Sequence, residues 1–318
     1  MVDEAQVARV RGSLGVFVEA MRQPLRVVGK DRVRFLQGML SNDVAKLGAG
    51  EGCHAAWLTA KGKVLADLGV VVEQDAVWLL CPPGRRGEVM AGLDRFVIAD
   101  DVRFEVPDEA TIGVAGPGAA AALRVDLLPW GTGTARIGGL ELRAFGWRET
   151  GLPGTLVLVP AAAVADLVAT LAGVHGATPP EVAEVLRVEA GVPRLGAEFD
   201  EETLVLEAGL DDCISYTKGC YVGQEVVARQ HTRGHVNRGL RGLVLDGETV
   251  PERGDRVAAP AREDGGVVTS AVFSPTLRRP IAIASLHRSL QDRPRVTVHR
   301  GDTPLEAEVV ELPFVRRA

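Results

Sequence analysis

The sequence predicts an α+β fold in three units, two mixing strands with helices and a third made of strands alone. Three observations carry this. Amphipathic helical patterns alternate with apolar strand runs over most of the chain. After about residue 237 the texture changes to short β-like runs, and no long low-complexity linker separates the parts. A chain of 318 residues, 46% hydrophobic and 25% charged, is long enough for two or three self-supporting cores.

Taken in order, Asp31 is placed to cap a helix running through Arg32 to Leu40, in which Phe35, Leu36, Met39 and Leu40 form one apolar face. Residues 63–72 read as a strand and 76–81 as its hairpin partner. A helix from about Gly84 to Ile98 is expected to bury Val89, Leu93, Phe96 and Val97, and residues 102–106 follow as a strand. The same grammar then repeats. Residues 111–115 read as a strand, a helix opens at the glycine turn Gly116-Pro-Gly, and residues 140–145 and 155–159 are strands. Helices follow at about 161–172 and 179–190, the second started by Pro179-Pro180. Beyond them, runs at 240–245, 256–259, 266–273, 281–286, 295–298 and 305–310 are divided by Gly, Pro and Asp, which predicts a small barrel or sandwich.

Composition narrows the function. A formal charge of −6 argues against coating nucleic acid by bulk electrostatics, so direct nucleic-acid binding is not expected. The first residues, Met1-Val-Asp-Glu, are acidic where a secretory signal is basic, and no apolar run reaches the roughly 18 residues needed to span a bilayer. Cys53, Cys81, Cys213 and Cys220 form no C-x-x-C pair, which fits a reduced, cytoplasmic setting. The chain has no G-x-G-x-x-G, Walker A, H-E-x-x-H or G-x-S-x-G motif, so nucleotide-fold and hydrolase templates have no foothold.

Three stretches carry candidate chemistry. In Tyr216-Thr-Lys-Gly-Cys-Tyr-Val-Gly-Gln-Glu, Cys220 stands just ahead of a helix-compatible run and two residues from Lys218, where a thiolate is favoured. A small cysteine that merely fits a glycine-rich helix entry is the alternative. Asp67 lies in a strand apolar on both faces, which tilts it toward a pocket rather than solvent. Arg187 and Glu189 stand near a helix end stopped by Gly191, where an arginine either grips a carboxylate ligand or caps the helix. Lys61, Lys63 and Lys218 are three of only five lysines among the 36 Lys and Arg residues, and all three fall in glycine-containing turns. Cys213, Cys220, His231 and His235 do not have zinc-ligand spacing, so no stably bound metal is expected.

Together these residues resemble a family. Lys218-Gly219-Cys220-Tyr221-Val-Gly223-Gln224-Glu225, continued by Val-Val-Ala-Arg229, is similar to the signature of YgfZ-type proteins. Those are folate-binding members of the glycine-cleavage T-protein (aminomethyltransferase) superfamily, related to mitochondrial iron–sulfur cluster assembly factors. Phe35-Leu-Gln-Gly, Ser41-Asn-Asp-Val, Ala60-Lys-Gly-Lys, Val114-Ala-Gly-Pro-Gly, Leu186-Arg-Val-Glu-Ala-Gly and Leu312-Pro-Phe-Val follow the same family in order.

The resemblance implies a three-domain cloverleaf. A split α+β domain (1–22 with 108–236), an inserted α+β domain (23–107), both ferredoxin-like, and a C-terminal β-barrel (237–318) would surround a folate cavity. It implies tetrahydrofolate or a one-carbon derivative as cofactor, contacted by Asp67, Arg187, Asn42, Lys61 and Tyr221. Cys220, Asp67 and Lys218 would carry any chemistry. The implied role is accessory to iron–sulfur enzymes or cluster-assembly proteins, with indirect effects on tRNA modification. A folate-dependent aminomethyl or one-carbon transferase, with Asp67 as acid/base group, is the alternative, and a direct tRNA-binding module a third. In Thr150-Gly-Leu-Pro-Gly-Thr-Leu, both acids of the corresponding T-protein stretch are missing. The pterin grip must therefore differ.

Overall fold

The strand Val64–Val72 is apolar on both faces because both are covered. In the structure, a computed structural model describing residues 3–19, 21–233, 236–260 and 262–315, it lies in a five-stranded antiparallel sheet. The order is Gly52–Leu58, Val64–Val72, Val77–Cys81, Gln23–Val28, Arg103–Glu105. Ala66, Leu68 and Val70 pack with Leu36 and Met39 of helix Arg32–Met39 and with Val89 and Leu93 of helix Arg86–Asp94. Alternation turns Asp67, Gly69 and Val71 the other way, and Val71 enters a second core with Trp78, Leu80, Trp130 and Trp147.

That second core is the seam with another antiparallel sheet, ordered Gly15–Phe17, Ala110–Ala115, Gly154–Val159, Leu140–Trp147, Thr132–Ile137. Val16 sits opposite Val114, so the chain starts this sheet, leaves to build the other, and returns. Helix Pro180–Glu189, with proline in its first turn as expected, lays Val182, Val185 and Leu186 on the seam.

The last unit is a closed six-stranded barrel. Strand Arg238–Leu245 pairs with both Arg279–His287 and Thr303–Val310, which leaves no open edge and decides between barrel and sandwich. Val188 of helix Pro180–Glu189 packs on Leu240, Ile281 and Ile283 of the barrel, so that helix touches all three units.

Several local expectations are corrected. The helix expected to reach Ile98 ends at Asp94, where the bonding tightens to Phe96 N–H on Leu93 and Val97 N–H on Asp94. That turn swings Phe96 out to 50% exposure. Asp31 makes no side-chain cap, its carboxylate accepting instead from the Asp101 backbone N–H at 2.9 Å. Leu40 lies past the helix end and bridges to Trp57. His235 lies outside the described residues. No single described helix is long and apolar enough to cross a membrane.

Candidate functional site

Two connected lobes open between the sheets and helix Pro180–Glu189, of about 670 Å³ and about 450 Å³. They share Arg22, Asp67, Glu149, Val192 and Pro193. Asp67 reaches this junction because strand alternation turns it away from the helix-covered face.

A polar network fills the junction. Asp67 Oδ2 accepts from the Arg22 guanidinium and lies 3.1 Å from His54 Nε2. Arg22 also donates to the carbonyls of Asp67 and Leu80 at 3.0 Å each, and its Nε pairs with Glu149. The other Glu149 oxygen accepts from Trp147 Nε1 at 3.0 Å. Burial alone would raise the Asp67 carboxyl, yet Arg22 and His54 hold it well below the ordinary carboxylate range. Burial likewise opposes the Arg22 charge, and Asp67 and Glu149 outweigh it. Asp67 is therefore a fixed anion at neutral pH.

His54 comes from the neighbouring strand, opposite Gly69, and its ring stacks on Trp130 with centroids 5.0 Å apart. Glycine is required at 69, since a Cβ there would lie 2.3 Å from the Trp130 ring. Burial works against the imidazolium, but the Cys213 sulfur and the Asp212 and Asp67 carboxylates raise it well above its usual value. Asp212 is in turn drawn down to about 2, against its burial, by His54 and Arg148.

Arg187 lines the larger lobe with all five N–H donors engaged inside the protein. They go to both Glu184 oxygens, Glu198, the Val192 carbonyl and Ser270 of the barrel. The expected grip on a ligand carboxylate has no donor left for it. Glu184, also paired with Arg194, is held below the ordinary carboxylate range by those arginines despite burial.

The other expected residues sit elsewhere. Asn42 donates to the carbonyls of His54 and Asp212 at 2.7 and 3.1 Å, so it braces the smaller lobe from behind. Lys218 is buried, and its ammonium donates to the carbonyls of Gln37, Leu40 and Asn42 at 2.6–2.9 Å above the Tyr221 ring. Burial pushes its pKa down to about 8, and three carbonyl oxygens are what an ammionium-type donor at that depth requires. With Lys218 turned inward, Cys220 alone faces solvent, outside both lobes. Tyr221 packs in a core with Leu58, Val64 and Phe199, and Lys61 is exposed on its turn. Neither lines a lobe. Gln224, Glu225 and Arg229 lie on helix Gln224–Arg233, with Glu225 and Arg229 exposed.

The two glycine motifs meet. Gly223 (φ +88°) sits so close to the Lys61–Lys63 turn that a Cβ there would lie 2.6 Å from the Thr59 carbonyl oxygen. Gly62 (φ +72°) in turn packs on Val226. Together Lys218, Gly223 and Gly62 clamp the Cys220 loop onto the end of helix Arg32–Met39 and the turn before strand Val64–Val72.

Sequence reasoning missed Arg22, His54, Glu149, Trp130, Trp147, Glu184 and Asp212. Only Glu149 carried a signal, standing directly before the glycine turn whose acids are missing.

Comparison with known proteins accounts for this architecture. Residues 2–129 match the family model of the GCVT N-terminal domain, and residues 238–316 that of the glycine cleavage T-protein C-terminal barrel domain. An aminomethyltransferase of Rubrobacter xylanophilus is 30% identical over 328 residues, covering 99% of this chain and 86% of that protein. The chain belongs to the glycine-cleavage T-protein (aminomethyltransferase) family. A T-protein family relative from Chromobacterium violaceum is also 30% identical, over 96% of this chain and 87% of its own length. The solved glycine cleavage system aminomethyltransferase T of Bartonella henselae superposes with a TM-score of 0.89 at 20% identity, covering 98% and 89% of the two chains, which shows the T-protein fold. These matches reach the T-protein family as a whole and do not separate the YgfZ type within it.

Proposed function

We propose that this chain binds a reduced folate, tetrahydrofolate or a one-carbon derivative, in the larger lobe and acts as an aminomethyl-type one-carbon transferase. The observation that carries the proposal is the buried Asp67 carboxylate, fixed as an anion where the two lobes join. The lobe fits such a ligand. Its volume of about 670 Å³ lies in the range that encloses molecules of this size. Met21, Pro82, Pro83 and Trp147 give apolar walls for the rings, and Glu149 and Glu184 offer carboxylates to pteridine N–H groups. Arg85 and Arg194, 38% and 47% exposed, pair with Glu88 and Glu184 and keep further N–H donors for the carboxylates of the glutamyl tail.

Tetrahydrofolate supplies ring and side-chain nitrogens that carry a one-carbon unit. Asp67, as an anion, orients an N–H and favours positive charge developing beside it. A proton store at neutral pH is a different task, and the depressed Asp67 carboxyl does not suit it. Calorimetric titration with tetrahydrofolate under anaerobic conditions tests the reading. Binding is expected, weakened at least tenfold in Asp67→Asn and severalfold in Arg194→Ala. No binding by the unaltered protein would overturn it.

A second reading, tetrahydrofolate binding in support of iron–sulfur enzymes or their assembly proteins, is favoured by Cys220. Its thiol is presented to solvent by a loop clamped at Lys218 and Gly223, an arrangement suited to a protein partner rather than the lobes. The readings separate in cells lacking this protein, with iron–sulfur enzyme activity as the readout. Cys220→Ser should fail to restore it under the accessory reading, with folate affinity unchanged. Under the transferase reading iron–sulfur enzyme activity does not depend on the protein, and one-carbon turnover survives Cys220→Ser and is lost in Asp67→Asn.

A further inference from the structure

At the floor of the smaller lobe, three side chains of different chemistry converge. His54 Nδ1 lies 3.4 Å from Asp212 Oδ1 and 3.3 Å from Oδ2, and Cys213 Sγ lies 3.8 Å from the same Oδ1. All three donor atoms fall within 4.8 Å of one another. We propose that His54 Nδ1, Asp212 Oδ1 and Cys213 Sγ form a binding site for a zinc-class divalent cation, with a fourth position open to the smaller lobe. This goes beyond the folate reading and does not depend on it.

The distances are those a tetrahedral ion demands. Bonds of about 2.0 Å to nitrogen and oxygen and about 2.3 Å to sulfur set donor–donor edges of about 3.3–3.6 Å. The Nδ1–Oδ1 separation of 3.4 Å already matches, and the Sγ–Oδ1 separation of 3.8 Å and a nitrogen–sulfur separation within 4.8 Å close to it by side-chain adjustment. Imidazole, thiolate and carboxylate together suit a borderline-soft ion, and three protein ligands with one open position is the open-site pattern of zinc. His54 and Asp212 line the lobe, so an ion has a path in, while Cys213 closes the site from the buried side.

The surroundings are already arranged around the ligands. His54 Nε2 meets the Asp67 carboxylate at 3.1 Å, which places the proton on that nitrogen and leaves Nδ1 for the ion. Asn42 ties the backbone of His54 to that of Asp212. Ser41 Oγ donates to the Cys213 carbonyl at 2.6 Å and accepts from the Ala56 N–H, fixing the cysteine to the same strand. Arg148 engages Asp212 Oδ2 and leaves Oδ1, which lies 3.4 Å from the nitrogen and 3.8 Å from the sulfur, to the ion. Binding releases the thiol proton from Cys213 and the Nδ1 proton of the His54 imidazolium, since only the thiolate and the unprotonated ring nitrogen are ligands. The sequence spacing hid the site, because His54 is a whole domain away from Asp212 and Cys213.

The test is titration of the chelator-treated, full-length protein with Co²⁺, followed by visible and near-ultraviolet absorption. One equivalent should give tetrahedral d–d bands with a thiolate-to-cobalt charge-transfer band, bleached by stoichiometric Zn²⁺. Cys213→Ser should abolish the charge-transfer band, and Asp212→Asn, at a partly exposed position, should weaken affinity at least tenfold without loss of fold. Cys220→Ser should leave the spectrum unchanged. Absence of tetrahedral bands, or a charge-transfer band that disappears with Cys220 and survives Cys213→Ser, would overturn the proposal.

Discussion

Asp67 illustrates how one residue acquires its properties from several others. Its carboxylate is almost wholly buried, so its charge survives only because Arg22 and His54 face it. This has a measurable consequence in acid. A carboxyl depressed in the folded state contributes stability that is fully present above its unfolded pKa of about 4 and is lost as pH falls through its lower folded value. Denaturant midpoints measured from pH 5 to pH 2 should therefore fall more steeply in the unaltered protein than in Asp67→Asn. The extra slope is about 1.4 kcal/mol per pH unit for one coupled proton. Equal slopes would mean the ion pair with Arg22 contributes nothing to folding.

At the level of elements, what was legible in the sequence depended on how locally each element is determined. Helices Arg32–Met39 and Pro180–Glu189 carry their periodicity within a few residues, the second also its proline start, and both were readable although Asp31 does not cap the first. Strand Gly15–Phe17 is three residues long and exists because Ala110–Ala115 pairs with it across the inserted sheet. No local pattern announces that. Asp67 stood out as a charge in an apolar strand, whereas Arg22 is one arginine among many and gains meaning only from what it faces. The Cys220 motif was visible as glycine chemistry, but its lysine, expected to tune the thiol, proves to be a buried tie to three carbonyls. The clamp between the two glycine turns can be tested directly. Gly223→Ala puts a side chain at φ +88° against the Thr59 carbonyl and should cost about 2 kcal/mol. Hydrogen exchange at residues 222–227 should quicken, while amides of the barrel should not change. Unaltered exchange would show that the loop is held by Lys218 alone.

Across the whole molecule, the two sheet units and helix Pro180–Glu189 line the cavity, the barrel supports it through Ser270, and Arg187 is where the units join. It projects from the helix at the seam, lines the larger lobe, and binds Glu198, while Ser270 of the barrel binds both Arg187 and Glu198. Glu198 is fully buried and also holds the Arg194 N–H and Thr269. Removing one partner leaves the other charge stranded, so Arg187→Met should destabilise the protein by about 3–5 kcal/mol. Neutralising both partners in Arg187→Met/Glu198→Gln should recover most of that loss, because no buried charge is then left alone. The same pair of variants separates two roles for Arg187. A residue that shapes the lobe from behind loses tetrahydrofolate affinity in the single variant and regains it when the double variant restores packing. A residue that grips the ligand's carboxylate loses affinity equally in both, whatever happens to stability. With every Arg187 donor already engaged within the protein, recovery in the double variant is the expected result, and persistent loss there would return Arg187 to the ligand.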